Sequence, residues 1–203
     1  LYAENSCGET TPVTQEICIE GLLNPVFTTN AIEGCAPFGV NTSNTTDESV
    51  SCDETIYLWT VTYTADYCGI APGDWSFTGG TDENSSNPSF NFEEPGIYTL
   101  SLTATNSCGG VMTSEEIIVK APPSASIIPV DNECGPSTIN PVAVVETCAP
   151  SAESVTYNWS FPGGTPAAST DLVPGAIDYA AVGDYVITFR VTTSCDTTTV
   201  TEA

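Results

Sequence analysis

Three observations predict an all-β chain folded into antiparallel β-sandwiches arranged in tandem. First, apolar and polar residues alternate strictly from residue 98 onward, as in a half-buried strand. Second, this stretch recurs at residues 183–195, and both copies end on Ser-Cys. Third, short runs of β-branched and aromatic residues are separated by turn residues, with no helical period. The apolar sets are Tyr98, Leu100, Leu102 and Ala104 in one copy and Tyr185, Ile187, Phe189 and Val191 in the other.

Residues 1–25 are predicted to be the last strands of a preceding unit. Asn5-Ser-Cys-Gly8 repeats Asn106-Ser-Cys-Gly109, and Gln15–Ile19 corresponds to Glu115–Val119. Proline-containing boundaries follow each copy, as expected for a residue that donates no ladder hydrogen bond. We therefore expect the chain to begin partway through a unit of a tandem array.

Residues 26–121 are predicted to form a complete sandwich. After Cys35 and a polar loop, Ile56–Tyr63 is rich in aromatic and β-branched residues and is predicted to be a central strand. Its Trp59 is a predicted core residue. Residues 64–74 have no counterpart in the following unit and are interpreted as an insertion before Trp75.

Residues 122–203 are predicted to form another sandwich with fewer residues. Cys134 corresponds to Cys35 and Cys148 to Cys52. Trp159 matches either Trp59 or Trp75, because Trp-Ser-Phe and Gly-Gly-Thr occur around both Trp75 and Trp159. We favour Trp59, which keeps a Tyr-x-Trp strand directly after the second cysteine of each unit.

The charge of the chain excludes two classes of function. With 26 acidic residues against only Lys120 and Arg190, the net charge is −24. A nucleic-acid backbone or an anionic membrane surface would be repelled. No run approaches the roughly 20 apolar residues that span a bilayer, so direct membrane insertion is not expected. The acidity fits a soluble surface or, alternatively, a divalent-cation site.

Nine cysteines accompany no histidine and no Cys-x-x-Cys motif. This pattern argues against zinc and against a redox motif, and favours disulfides formed in an oxidising compartment. We therefore expect an extracellular location.

The chain is predicted not to be an enzyme, with no cofactor. No histidine is present to activate a serine, and paired acidic residues arise by chance among 26. The loop around Asp82, Glu83 and Asn84 is kept as a hypothetical calcium site, although no EF-hand pattern is present.

Several motifs together resemble the PKD (polycystic kidney disease) domain. They are Tyr-x-Trp, Gly-Gly-Thr, Asn87-Pro-Ser-Phe-x-Phe92 and Pro95-Gly-x-Tyr-Thr-Leu-x-Leu-x-Ala-x-Asn-Ser-Cys-Gly109. The segment Phe161–Pro166 is similar to the version found in giant Bacteroidetes surface proteins. The resemblance covers nearly the whole chain, with departures at Thr193, after Cys195 and in the insertion before Trp75.

The resemblance implies immunoglobulin-like β-sandwiches used as surface modules in arrays. It further implies a segment of a large secreted adhesin, resembling gliding-motility adhesins exported by type IX secretion, that serves as a disulfide-reinforced stalk. The implied partners are neighbouring repeats and, beyond them, surface polysaccharide or the secretion and motility machinery. The alternative is an accessory carbohydrate- or protein-binding module of a secreted hydrolase.

The immunoglobulin-like arrangement also suggests disulfide pairs. The loop before the Trp strand and the end of the Tyr98 strand share one pole, which suggests Cys52–Cys108 and Cys148–Cys195. Cys35 and Cys52 are too far apart along an extended chain to pair. The remaining expected pairs are Cys35–Cys68 and Cys7–Cys18, which leave Cys134 unpaired.

Overall fold

The computed structural model describes residues 3–9, 11–64, 73–148 and 153–203, and all regular structure in these ranges is β. A short N-terminal hairpin is formed by β1 (Glu4–Asn5) and β2 (Gly8–Glu9). The strands that follow it are β3 (Phe27–Thr29), β4 (Glu33–Cys35), β5 (Phe38–Asn44), β6 (Ile56–Thr64), β7 (Trp75–Thr78), β8 (Ser89–Phe92), β9 (Gly96–Asn106) and β10 (Gly109–Lys120). The remaining strands are β11 (Ser124–Ile127), β12 (Ser137–Ile139), β13 (Ala143–Glu146), β14 (Thr156–Ser160), β15 (Gly164–Thr165), β16 (Ala168–Ser169), β17 (Ile177–Tyr179), β18 (Ile187–Thr192) and β19 (Thr197–Glu202).

Strands β3 to β10 form the first sandwich. One sheet has the order β3-β5-β8-β7 and the other β4-β10-β9-β6. In immunoglobulin lettering these are the A-B-E-D sheet and the G-F-C sheet, with β4 added in parallel beside β10. The predicted immunoglobulin-like sandwich is therefore confirmed.

Strands β11 to β19 repeat this arrangement with shorter strands. The second sandwich has β16-β14-β18-β19 on one side, and β11-β13 with β12-β17-β15 on the other. The B strand is split into β12 and β13 at residues 140–142, which include Pro141. A proline there is expected to interrupt a strand because it donates no ladder hydrogen bond. The predicted tandem β-sandwich class is thus confirmed by the described strands from Phe27 to Glu202.

Each sandwich has its own core, built on the alternating strand found in the sequence. In β9 the four predicted apolar residues are fully buried, and in β18 Phe189 and Val191 are fully buried. The cross-strand register pairs Trp59 with Leu102 and Trp159 with Phe189. Since Leu102 and Phe189 are equivalent in the repeat, the favoured match of Trp59 with Trp159 is confirmed. Trp75 instead lies on β7, opposite Phe92, and is half-buried at the edge of the core.

In both sandwiches, the tyrosine of the Gly-x-Tyr motif donates a hydrogen bond back to the turn that precedes β9 or β18. Tyr98 donates to the carbonyl of Glu94 at 2.8 Å, and Tyr185 donates to the carbonyl of Ala181 at 3.0 Å. This i−4 bond is the tyrosine corner seen in immunoglobulin-like domains. The Gly-x-Tyr motif therefore sets the turn as well as the core.

Two expectations about individual elements differ from the structure. Strand β6 pairs only with β9 among the described strands, so it is an edge strand and not central; the backbone N–H of Trp59 donates instead to the carbonyl of Glu83. Gln15–Ile19 is not a strand, because no neighbouring strand pairs with it in the described part of the chain. Most of the predicted insertion, residues 65–72, lies outside the described residues, and the predicted domain boundaries stay predictions.

Candidate functional site at the junction of the sandwiches

The disulfides join cysteines that the sequence analysis did not pair with each other. Cys35 is bonded to Cys195, and Cys18 is bonded to Cys52, with Cα–Cα distances of 5.6 and 6.0 Å. Cys148 is also disulfide-bonded. The cysteines with a free thiol are exposed, namely Cys7, Cys108 and Cys134.

The four predicted pairings are therefore wrong in the described part of the chain. Cys52–Cys108 and Cys7–Cys18 do not form, because an extended segment from the chain's N-terminal part brings Cys18 to Cys52. Cys148–Cys195 and Cys35–Cys68 do not form, because Cys35 lies at the end of the first sandwich that faces Cys195 of the second. Cys68 itself lies outside the described residues. The expectation that Cys134 is unpaired agrees with the structure.

The Cys35–Cys195 bond spans the junction between the sandwiches. Cys35 ends β4, where it is the register partner of Lys120 at the end of β10. The N–H of Ala36 donates to the carbonyl of Lys120 at 2.8 Å. From Lys120 the chain passes through Ala121–Pro123 into the second sandwich, whose β18–β19 turn carries Cys195. Among the described residues, the linker and this disulfide both join the two sandwiches.

Polar contacts also fix the linker to the second sandwich. The N–H of Ala121 donates to the carbonyl of Cys148 at 3.1 Å. The hydroxyl of Thr198 donates to the carbonyl of Pro123 at 2.5 Å. Each bond satisfies one backbone polar group of the linker. The short linker is thus held at both of its ends.

The junction also buries one of the two basic residues of the chain. Lys120 is 6% exposed and forms an ion pair with Glu33 on β4. A buried ammonium is stable only when it is paired with a charge or with hydrogen-bond acceptors. In a protein with net charge −24, this cation lies where the two sandwiches meet.

Glu153 extends this polar network into the second sandwich. Its carboxylate accepts hydrogen bonds from the N–H of Ser194 at 2.7 Å and from the Ser194 hydroxyl. Partial burial raises the pKa of Glu153, but the two bonds from Ser194 and the charge of Lys120 together outweigh it, and the pKa lies below its ordinary value. Glu153 is therefore held ionised beside the Ser194-Cys195 turn.

The first sandwich holds its own Ser-Cys turn in the same way. The hydroxyl and N–H of Ser107 donate to the carboxylate of Glu20, which also accepts from the N–H of Cys52. The bond from the Ser107 side chain is the largest of the causes that lower the pKa of Glu20. In both sandwiches a carboxylate thus fixes the Ser-Cys turn, but Glu20 lies before the sandwich and Glu153 lies within it.

Strand register identifies which cysteines occupy equivalent positions. Phe38 pairs with Phe92 on β8, and Ser137 pairs with Tyr179 on β17, so Cys35 and Cys134 both lie three residues before matched positions. Asn106 lies opposite Gly109 in the first sandwich and the N–H of Thr193 donates to the carbonyl of Asp196 in the second, so Cys108 and Cys195 each lie two residues after matched positions. The junction disulfide therefore joins the position that Cys134 occupies in the second unit to the position that Cys108 occupies in the first. In the bond itself these positions are Cys35 of the first unit and Cys195 of the following one.

The hypothetical calcium site forms a tight turn. The Asp82 carboxylate accepts from the N–H of Asn84 at 3.1 Å and from the hydroxyl of Ser85 at 2.8 Å. These bonds, that of the Ser85 side chain first, lower the pKa of Asp82. Within the residues that the structure describes, no group of three or more His, Cys, Asp or Glu side chains is placed to hold a metal ion. The calcium site stays a prediction.

The strand order and the cross-linked junction define a protein of tandem immunoglobulin-like domains. No family model matches the sequence, and no curated protein matches it. Among solved structures, the chain is similar to a variant of titin domains I67–I69 (10% identity, TM-score 0.44), covering 89% of this chain and 64% of that one. It is also similar to three N-terminal domains of the bacteriophage RB49 outer capsid protein Hoc (9% identity, TM-score 0.43), covering 88% of this chain and 66% of that one.

A further similar structure is the ectodomain of mouse nectin-like molecule 4, with 14% identity and a TM-score of 0.41. The match covers 88% of this chain and 62% of that one. The chain thus spans somewhat less than two thirds of the titin and nectin-like structures. No described segment forms a helix that is long and apolar enough to cross a bilayer.

Sequence reasoning missed the junction because it looked for disulfides within each sandwich. A usable signal was present, since Cys35, Cys52 and Cys108 of one unit have counterparts in the next, namely Cys134, Cys148 and Cys195. A bond between units uses one position from each unit. Such a bond leaves the counterpart positions free within the same chain, as Cys108 and Cys134 are here.

Proposed function

We propose that this chain is a non-enzymatic spacer segment of a large secreted cell-surface adhesin, in which disulfides across domain junctions stiffen a stalk of tandem sandwiches. The observation that carries this proposal is the Cys35–Cys195 bond, which bridges the linker Ala121–Pro123. A single short linker permits bending about its own dihedral angles. A second covalent tether beside it removes most of these motions, so that force and orientation pass from one unit to the next.

The more particular role rests on the sequence motifs. The PKD-like strand and turn motifs favour arrays of the kind found in giant Bacteroidetes surface proteins, exported by type IX secretion and serving attachment or gliding motility. The disulfides favour an extracellular location. The proposed partners are neighbouring repeats and, through the parent protein, surface polysaccharide or motility machinery. Calcium binding near Asp82 is a subsidiary proposal, tested by the melting temperature with calcium and with chelator.

The stalk proposal is tested by small-angle X-ray scattering of the intact chain. The Cys35→Ser/Cys195→Ser variant is expected to give a broader distance distribution than the wild type, because a covalent tether beside the linker is then absent. Cys134→Ser is the matched control, since it removes an exposed free thiol, and its scattering should equal that of the wild type. Identical profiles for the double variant and the wild type would show that the disulfide does not restrain the junction.

The alternative function is that of an accessory binding module of a secreted hydrolase. The observation that favours it is Trp75, a half-buried indole on β7 that makes an edge-to-face contact with Phe77 at a centroid distance of 5.3 Å. Aromatic faces at a sandwich surface are suited to sugar rings. A glycan-array signal that is lost in Trp75→Ala and kept in Met112→Ala, a change at another exposed apolar side chain, would support this alternative.

A further inference from the structure

The β16-β14-β18-β19 sheet of the second sandwich turns one face away from the core. Side chains alternate along each strand, so Trp159, Phe189 and Val191 point into the core and their neighbours point outwards. The register aligns the outward side chains of β14, β18 and β19 in three rows. These rows form the hydroxyl face: Thr156-Thr192-Thr197, Asn158-Arg190-Thr199 and Ser160-Thr188-Thr201.

The hydroxyl face carries hydrogen-bonding groups and no negative charge. Its threonine, serine and asparagine side chains can each donate and accept hydrogen bonds, and Arg190 is its one ionised group. None of its side chains is acidic, although the chain has 26 acidic residues. Glu202, at the end of β19, is in register with Ile187 and belongs to the opposite set of side chains. An anionic ligand would therefore meet no carboxylate within this face.

Arg190 lies at the centre of the hydroxyl face. It is on the middle strand, in register with Asn158 on one side and Thr199 on the other. Its side chain is exposed, whereas Thr188 and Thr192 on the same strand are half-buried. Within the described ranges the ion pair that forms is that of Lys120 with Glu33, and Arg190 takes part in none. Its guanidinium is therefore available to an external anion.

The chemistry of the face matches a sugar that carries a carboxylate. A guanidinium presents its N–H donors in a rigid fork, which binds a planar carboxylate through two parallel hydrogen bonds. The surrounding hydroxyl and amide groups can donate to and accept from the hydroxyls of a sugar ring. A uronate, which combines a carboxylate with ring hydroxyls, satisfies both kinds of group.

The same face lacks the groups that hold a protein partner. Stable protein interfaces have aromatic or large aliphatic side chains at their centre, and the three rows contain none. The first sandwich differs, because Arg190 corresponds there to Thr103, whose row includes the exposed Leu58 and Met112. The combination of a free cation with neutral polar rows is therefore a property of the second sandwich.

The charge of the whole chain limits how many carboxylates the ligand can carry. A net charge of −24 repels a polymer with a carboxylate on every sugar. Strands about 5 Å apart and rows about 7 Å apart give the face a span of roughly 10 by 13 Å between Cα atoms. One carboxylate at Arg190 thus leaves the outer two rows to neutral sugars on either side.

We propose that the hydroxyl face binds an acidic polysaccharide in which uronates are separated by neutral sugars, with the carboxylate of one uronate paired with Arg190. The neutral sugars exchange hydrogen bonds with the threonine, serine and asparagine side chains of the rows. This inference goes beyond the spacer function, because it gives the second sandwich a ligand of its own. It also differs from sugar binding at Trp75, which lies in the first sandwich.

The ligand is tested by titrating the isotope-labelled full chain with gellan oligosaccharides, in which glucuronate is separated by neutral sugars. Nuclear magnetic resonance should show saturable shifts of the amides of β14, β18 and β19 and of the Arg190 Nε–H. The matched control is the same oligosaccharide with its carboxyl groups reduced to alcohols, which should bind about tenfold more weakly because the charge-assisted bonds are lost. Equal affinity for the two sugars, or no shifts on the face, would overturn the proposal.

The role of Arg190 is tested by two variants at exposed positions. Arg190→Gln keeps a hydrogen-bond donor and removes the charge, and should weaken binding about tenfold. Asn158→Asp places a carboxylate in register with Arg190, where it should pair with the guanidinium and weaken binding without lowering the melting temperature. Thr103→Ala, at the equivalent position of the first sandwich, is the matched control and should bind as the wild type does. Wild-type affinity in Arg190→Gln or in Asn158→Asp would refute the assignment.

Two further results would contradict the proposed ligand. Tighter binding of polygalacturonate, which has a carboxylate on every sugar, would show that the face does not select separated uronates. Concentration-dependent shifts of the same amides without sugar, if lost in Arg190→Gln, would assign the face to a second copy of the chain.

The outcome is separable from that of the stalk proposal. The scattering experiment concerns the junction at Cys35 and Cys195 and uses no sugar. A chain that binds no polysaccharide can still have a restrained junction, and a chain with a loose junction can still bind.

Discussion

At the scale of single residues, the two core tryptophans show how register resolves an ambiguous repeat. The motif Trp-Ser-Phe occurs at both Trp75 and Trp159, but Trp159 is equivalent to Trp59. The indole N–H of Trp59 donates to the carbonyl of Ser85, and that of Trp159 to the carbonyl of Asp171. Each indole thus fills a core and ties down a crossing loop. The hydrogen bond satisfies the indole N–H, which would otherwise be buried without a partner.

Two buried tyrosines predict that the first sandwich loses stability at alkaline pH. Burial, followed in size by the hydrogen bond to Glu48, raises the pKa of Tyr57 to about 12. Burial, followed by the neighbouring Tyr63, raises that of Tyr98 to about 12. In the unfolded chain a tyrosine titrates near pH 10. The stabilising contribution is therefore complete below about pH 10 and is lost as the pH rises towards about 12.

The measurement is the urea midpoint of the first transition at pH 8, 10 and 11, after the free thiols have been blocked. The midpoint should fall between pH 10 and 11. Tyr57→Phe removes one of the two phenols, so the decline should be smaller in this variant than in the wild type. The same decline in both proteins would mean that Tyr57 does not titrate differently in the folded state.

At the scale of elements, β4 and β10 show how a short strand positions a cross-link. The β4 segment has only three residues, but its parallel pairing with Ile118–Lys120 places Cys35 at the end of the sandwich. Glu33 on the same strand neutralises Lys120. Register, more than local propensity, thus brings the thiol and the ion pair to the junction.

The two identified disulfides are expected to stabilise the chain to similar extents. The chain-entropy relation gives an upper limit of about 5 kcal/mol for the sequence separation of 160 residues and about 4 kcal/mol for that of 34. Cys35→Ser/Cys195→Ser and Cys18→Ser/Cys52→Ser should therefore both lower the free energy of unfolding by several kcal/mol, as measured by urea titration followed by circular dichroism.

The control for both variants is Cys134→Ser, which should unfold like the wild type because its thiol is free. A loss in Cys35→Ser/Cys195→Ser of less than about 1 kcal/mol would show that the unfolded ensemble gains little freedom when this cross-link is absent.

At the scale of the whole molecule, the net charge and the cross-linked junction oppose each other. A net charge of −24 makes the two sandwiches repel, while the disulfide, the linker bonds and the Lys120–Glu33 pair hold them together. The repulsion acts over the screening length, which falls from about 30 Å at 0.01 M salt to about 8 Å at 0.15 M.

This opposition predicts that the effect of salt depends on the disulfide. The radius of gyration of the wild type should change little between about 0.01 and 0.15 M salt, although the screening length falls between these concentrations. That of Cys35→Ser/Cys195→Ser should decrease, because screening allows sandwiches that lack this disulfide to approach each other. Scattering at both salt concentrations measures the difference, and an equal response of the two proteins would contradict the prediction.

The sequence by itself determined the class of fold, the repeat and the core. Alternation from Tyr98 to Ala104 and its recurrence at Tyr185 to Val191 predicted the buried strand in each unit, because the period of two is a local property of a β-strand. The position of Tyr-x-Trp after the second cysteine of each unit favoured the match of Trp59 with Trp159, and the strand register confirmed it. These features depend on neighbours in sequence.

Only the tertiary structure decided the cysteine partners and the site. A disulfide depends on which surfaces meet after folding, and Cys35 and Cys195 are 160 residues apart in sequence and belong to different sandwiches. The pairing expected within each sandwich was wrong, because Cys195 is bonded to Cys35 of the preceding unit, although Ser194 in the same turn is bonded to Glu153 of its own loop.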